Sequence, residues 1–277
     1  MYMSFIIFTD LDGTLLSYND YSFNEALDAL MYIKENNIPC IIATSKTFKE
    51  TVVIQKMLRV YDPFIVENGG GIYFPNIYNN INIDIGESFC DYKRIVLGVK
   101  RPVILDFVKH IRGMGFNIKL YSEFSVDELS NYTGLSKEDT INSMDRHFSE
   151  PFIFLGDDEA KLPQLQELAE QRGIKILKGG KFYHFVGVNQ NKGNAVTLVK
   201  QYMEKLMGKK YISIGIGDSQ NDVDMFKAVD IAILVKKHDG TFEEINIDNI
   251  FRSNLIGPAG FNEMILKILS VKGGNNG

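Results

Sequence analysis

The amino-acid sequence predicts an α/β fold, a mainly parallel sheet with helices on both faces, carrying an inserted α+β unit. Three observations predict it. Short apolar runs alternate with longer amphipathic segments at the start of the chain. Between about 71 and 188 that alternation breaks down, and strand-like runs come in neighbouring pairs. After 188 the first grammar returns.

Taken in order, "SFIIFT" reads as a buried strand and "FNEALDALMYIKEN" as a helix with Phe23, Leu27, Leu30 and Ile33 on one face. "IPCIIAT" is a second strand, "TFKETVVIQKMLRV" a second helix and "FIVEN" a third strand. Strand–helix–strand repeats of this kind build parallel sheets buried on both faces. "GIYFP" and "INIDI" then read as a hairpin across an Asn-rich turn. Helical segments follow at 101–114, 125–131, 136–147 and 158–172, with "PFIFLG", "IKILKG" and "FYHFVGV" as strands. Late in the chain come the helix "NKGNAVTLVKQYMEKLM", the strand "KYISIGIGD", the helix "SQNDVDMFKAV", the strand "DIAILV" and a last helix over "GFNEMILKIL". The prediction is a Rossmann-like core in two pieces, 1–82 and 189–277, around an α+β cap of 83–188. The glycine-containing crossings near Gly69–Gly71 and Gly187–Gly193 are candidate hinges, and "GGNNG" reads as a loose tail.

Composition narrows the function. With 277 residues, 45% hydrophobic and 23% charged, the chain can bury a substantial core. Thirty basic against 35 acidic residues leave a formal charge of −5, which argues against nucleic acid or an anionic membrane as a partner. Cys40 and Cys90 stand far apart without metal-ligand spacing, as in a reducing compartment. No signal peptide or spanning segment is legible, so the expectation is a cytoplasmic enzyme or binding protein for a small molecule.

The stretch "FIIFTDLDGTLL" carries the chemistry. Asp10 and Asp12, one residue apart at a strand end, repel each other unless a cation or proton compensates. Ligands of open parallel sheets gather beyond the carboxyl ends of the strands. There the sequence sets Asp10, Asp12, Gly13 and Thr14, then Thr44, Ser45 and Lys46, then Lys192, then Asp218, Ser219, Asn221 and Asp222. Acids, hydroxyls and a lysine together suit a phosphate ester and Mg²⁺, which takes hard oxygen ligands. The expected metal set is Asp10, the Asp12 carbonyl, Asp218, Ser219 and Asp222. Asp10 is the expected nucleophile and Asp12 the acid–base partner, with Thr44 and Lys192 on the phosphoryl group. Gly13 lets the backbone turn and approach the phosphate.

"DLDGT", "ATSK", "NKGNA" and "GDSQND" resemble the four motifs of the haloacid dehalogenase superfamily of phosphohydrolases, and the insertion resembles the cap of its Cof-like sugar phosphatases. "TSKT" in place of the usual Gly-Arg, with "VENGGGIYFP", "GGKFYHFVG", "LVKKHDG" and "GPAGFNEMI", is most similar to the mannosyl-3-phosphoglycerate phosphatases. The resemblance implies Mg²⁺-dependent hydrolysis of mannosyl-3-phosphoglycerate to mannosylglycerate, a compatible solute, through an aspartyl-phosphate. It also suggests where the rest of the substrate would lie: Lys46 and Thr47 extend beyond Thr44 toward the glyceryl carboxylate, and Thr14, Ser45 and Asn221 are further expected substrate contacts. Glu67 and Asn68 would close the cap over the site or satisfy a turn. In the cap, Gly179 and Gly180 would permit close approach, Lys181 would pair with the carboxylate, and His184 would bind the sugar. Glucosyl-3-phosphoglycerate, sucrose phosphate or another phosphosugar remain alternative substrates. A phosphomutase or a non-catalytic phospholigand sensor are alternative activities.

Overall fold

The computed structural model describes residues 4–179 and 181–273. Gly180 and all but the first residue of the expected tail lie outside the described residues. The chain opens with β1 (Ser4–Thr9), α1 (Leu27–Glu35), β2 (Cys40–Ala43), α2 (Phe48–Leu58) and β3 (Phe64–Val66). Next come β4 (Gly71–Pro75), the two-residue strands β5 (Ile77–Tyr78) and β6 (Ile81–Asn82), β7 (Glu87–Phe89) and β8 (Tyr92–Val96). The middle holds α3 (Arg101–Gly113), β9 (Ile118–Leu120), α4 (Val126–Thr133), α5 (Lys137–Met144), β10 (Ser149–Phe154), α6 (Leu162–Glu170), β11 (Ile174–Lys178) and β12 (Tyr183–Gly187). The chain then runs through α7 (Lys192–Met207), β13 (Tyr211–Gly217), α8 (Val223–Ala228), β14 (Ile231–Lys236), β15 (Phe251–Ile256) and α9 (Gly257–Gly273).

The main sheet has the order β15-β14-β13-β1-β2-β3-β4-β8-β7, parallel from β15 to β3 and antiparallel beyond. Successive β1 residues point to opposite faces. Ile7 accordingly joins the core formed with α1 and α9, while Ile6 and Phe8 join the core formed with α7 and α8. This is the α/β architecture expected, with helices on both faces. A second, antiparallel sheet, β11-β12-β10-β9, packs against α3 and α6.

Three expectations need correction. The buried face of α1 is carried by Ala29, Leu30 and Ile33, with Ala26 buried just ahead of it, while Leu27 is 42% exposed. "GIYFP" does not pair with "INIDI"; it lies between β3 and β8, and the Asn-rich turn closes only the β5–β6 pair. The predicted boundary at 82/83 falls ahead of β7 and β8, which hydrogen-bond into the main sheet. The chain leaves that sheet at 97–100, where Leu97 and Gly98 donate to the Gly70 carbonyl. "YKRIVLG" gives no warning of this, because a half-buried strand with charged residues lacks a continuous apolar run. Gly69, with φ +88°, is pressed against the returning segment: a Cβ there would lie 2.1 Å from the Asn191 carbonyl oxygen.

Candidate active site

The parallel order of β2, β1 and β13 brings "DLDGT", "ATSK" and "GDSQND" to one sheet edge. Asp10 follows β1 directly and its N–H donates to the Ile216 carbonyl of β13 (2.9 Å). Gly13 turns with φ +73° and passes so close to Asp218 that a Cβ would lie 2.4 Å from its Oδ2. No other residue fits that turn without strain and collision.

Lys192, the first residue of α7, enters from a helix whose start is capped by the Asn191 side chain, which accepts from Asn194 N–H (2.7 Å). Its ammonium is buried and bridges Asp10 Oδ1 (2.8 Å) and Asp222 Oδ1 (2.7 Å). The other oxygen of Asp222 accepts from the backbone N–H groups of Asp218 and Ser219 and from Ser219 Oγ, each at 3.2 Å. Both Asp222 oxygens therefore serve the protein, and they shape the loop that carries Asp218. Ser219 Oγ also donates to Asn221 Oδ1 (2.6 Å).

Charge at this point is unbalanced. Asp10, Asp218 and Asp222 each offer an oxygen within 4.8 Å of the others, against the single ammonium of Lys192. Burial pushes the Asp10 carboxyl up to about 7, Lys192 opposes that rise, and the charges of Asp222 and Asp12 add to it. Burial likewise pushes Asp218 up to about 8, reinforced by Asp10 and Asp222. Burial alone would lower the Lys192 ammonium, but the two aspartates outweigh it and hold it above the usual range. Desolvated carboxylates in excess of their cations are the donor set of a divalent metal, so the residues present fit one.

Asp12 is turned toward the opening and stands 3.0 Å from the Lys46 ammonium. Lys46 is buried, with Glu50 at 3.9 Å and the Tyr21 ring 4.9 Å below its charge. Thr44 Oγ1 accepts the Lys46 N–H (3.2 Å). Thr14 Oγ1 is buried without a hydrogen-bond partner, an orphan hydroxyl in the loop after β1. The site thus gathers buried carboxylates, the acid Asp12, two hydroxyls and two lysines.

The family model of haloacid dehalogenase-like hydrolases matches residues 7–246. The chain belongs to this hydrolase family. It is 42% identical over 267 residues to a glucosyl-3-phosphoglycerate/mannosyl-3-phosphoglycerate phosphatase of Persephonella marina, covering 96% of this chain and 97% of that protein. A protein of the same description from Methanococcoides burtonii is 36% identical over 270 residues, covering 96% and 98%. A haloalkanoate-superfamily phosphatase from Bacteroides thetaiotaomicron shares the fold with a TM-score of 0.67 at 17% identity, covering 97% and 96% of the two chains. Relatives over the full length are phosphatases, and this hydrolase is a phosphoric monoester hydrolase by the same kinship.

Several residues expected to touch substrate have other duties in this haloacid dehalogenase-like hydrolase. Thr47 caps α2: its hydroxyl accepts from Glu50 N–H (3.2 Å), Glu50 answers at the Thr47 N–H (2.8 Å), and the hydroxyl donates to the Asn142 carbonyl (2.9 Å). Glu67 is buried and holds the 147–149 segment, accepting from His147 N–H (2.8 Å), Phe148 N–H (3.0 Å) and Ser149 Oγ (2.5 Å). It is a bolt between cap and core rather than a ligand contact. Lys181 is exposed, and its ammonium donates to the Tyr132 carbonyl (2.7 Å) and overlies that ring. Asn68 Oδ1 faces Asn221 Nδ2 at 3.5 Å, and both line a cleft of about 230 Å³ with Lys192, Lys175 and Lys178. Ser45 presents its carbonyl to Arg146 (3.4 Å). His184 sits on β12 opposite Pro151 and Leu177. Burial, and then the Arg146 charge, lower it to about 3, so it is neutral near pH 7. Arg146 itself has no sequence signal: it lies in a four-residue link between α5 and β10, and only the tertiary structure carries it to the Ser45 loop. No helix among the described residues is long and apolar enough to cross a membrane.

Proposed function

We propose that the protein hydrolyses a hexosyl-3-phosphoglycerate, mannosyl-3-phosphoglycerate above all, to the hexosylglycerate and phosphate. The observation that carries this reading is the Asp10–Lys192–Asp222 bridge with Asp218 beside it, in a chain similar along its whole length to phosphatases named for glucosyl- and mannosyl-3-phosphoglycerate. Their double name keeps the glucosyl ester as a second substrate.

Lys192 occupies Oδ1 of Asp10, which leaves Oδ2 to attack phosphorus. The bond between phosphorus and the glycerate oxygen breaks as Asp12 gives that oxygen a proton, and an aspartyl-phosphate forms on Asp10. A water then attacks the phosphorus and surrenders a proton to Asp12, phosphate leaves, and both aspartates return to their starting states. Thr44 and Thr14 supply hydroxyls to the phosphoryl oxygens, and Lys192 supplies charge. A magnesium ion held by Asp10, Asp218 and the Asp12 carbonyl would neutralise phosphoryl and carboxylate charge during transfer. Asp222 and Ser219 hold the Asp218 loop in place for it.

The test is phosphate release by the purified protein with Mg²⁺ on mannosyl- and glucosyl-3-phosphoglycerate beside free hexose phosphates and sucrose phosphate. Higher kcat/KM on the two glycerate esters is expected. Best turnover of free hexose phosphates, with the glycerate esters idle, would overturn the substrate assignment.

A further inference from the structure

The arginines Arg94, Arg101 and Arg112 each pair with a carboxylate, Glu87, Glu150 and Glu123 in turn. Arg146 differs. Its guanidinium donates only to neutral oxygens, Ser149 Oγ (3.0 Å) and the Ser45 carbonyl (3.4 Å), and its Nε is buried with no partner. The acids around it are committed elsewhere. Asp145 is shared by Lys49 (3.6 Å) and His147 (3.9 Å), Glu67 by the 147–149 segment, and Glu50 by the α2 cap and Lys46. Among the described residues no carboxylate answers this charge.

A partly buried guanidinium with no counter-ion and one orphaned N–H favours an arriving anion. Its position is also fixed rather than floppy. The next three residues are bolted to the core by Glu67, and its own plane lies 5.7 Å from the Tyr121 ring. Tyr121 feels both the Arg146 and the Lys46 charges, so the cap arginine and the core lysine share one neighbourhood. His184, neutral near pH 7, adds no charge beside Arg146. A planar fork with a free N–H is suited to a carboxylate.

We propose that Arg146 grips the carboxylate of the glycerate and so selects phosphate esters that carry a second anionic group. This rests on the hexosyl-3-phosphoglycerate reading above and puts the carboxylate contact on Arg146 instead of Lys181.

The test compares kcat/KM for mannosyl-3-phosphoglycerate and for the matching mannosylglycerol phosphate, which lacks the carboxylate, in wild type, Arg146→Gln and Arg146→Lys. Wild type favours the carboxylate ester. Arg146→Gln lowers that preference by roughly tenfold to a hundredfold, the range for a lost charged hydrogen bond, chiefly through KM. Arg146→Lys keeps the charge without the fork and falls between. The ratio is its own control for damage to the fold, since such damage lowers both substrates together. A preference unchanged in Arg146→Gln overturns the proposal alone. A wild type that hydrolyses both esters equally overturns the substrate reading and this inference with it.

Discussion

Lys192→Met keeps the length of the side chain and removes the ammonium that joins Asp10 to Asp222. Both carboxylates are almost wholly buried, Asp222 at 0% and Asp10 at 5% exposure. Breaking a buried pair by deleting one partner costs about 3–5 kcal/mol, because the partner left behind is desolvated and unpaired. The variant in metal-free buffer should therefore lose about that much in urea unfolding. Asp222→Asn in the same background removes one stranded charge. The double variant should fall short of the sum of the single losses by roughly 1–3 kcal/mol, the coupling of residues in direct contact. Turnover in Mg²⁺ should fall roughly a hundredfold to a thousandfold, as for loss of one charge-stabilising donor. Single losses that simply add would refute the reasoning, since they would mean Lys192 and Asp222 do not share one buried network.

Asp10→Asn should abolish phosphate release while circular dichroism and the urea midpoint stay close to wild type; residual turnover of more than a few per cent would remove Asp10 as nucleophile. Burial holds Asp10 near 7 and Asp218 near 8, so the folded apo protein keeps protons that the unfolded chain releases above about 4. This pair's contribution is complete below the unfolded value and is lost as pH rises toward 7–8. A divalent cation takes the protons' place, so the Mg²⁺-induced rise in melting temperature should grow from pH 5 to pH 8. A rise largest at pH 5 would contradict the burial of these groups. Glu67→Gln should destabilise by about 1–3 kcal/mol, because its amide NH₂ meets donors at the 147–149 segment. Faster hydrogen exchange at the His147 and Phe148 amides reports it, and unchanged protection there counts against the bolt. Gly13→Ala, with φ +73° and Asp218 in the way, should cost about 1–3 kcal/mol in strain and weaken Mg²⁺ binding by calorimetry; unaltered binding would show that the Asp218 position does not depend on that close approach.

The sequence by itself determined the α/β core, because a strand's alternation and a helix's 3.6-residue period are local properties of "SFIIFT" or "NKGNAVTLVKQYMEKLM". It also determined which residues gather at the candidate site. Asp10, Thr44, Lys192 and Asp218 each follow or precede a predicted element, and a parallel sheet carries all such ends to one edge. Tertiary structure alone decided the rest. "YKRIV" is a strand only because β4 and β7 flank it, and "GIYFP" found its partner some twenty residues on instead of across the nearby turn. Glu67 and Thr47 look like ligand residues in one dimension, yet their oxygens are consumed by His147, Phe148, Ser149 and Asn142, all at least 80 residues away. Arg146 is the converse: ordinary in its link, and unpaired only because the fold sets it beside Ser45 while every nearby acid is taken. Pattern reveals which groups a chain can offer; whether an oxygen or a guanidinium is still free to meet a substrate is a property of its neighbours in space.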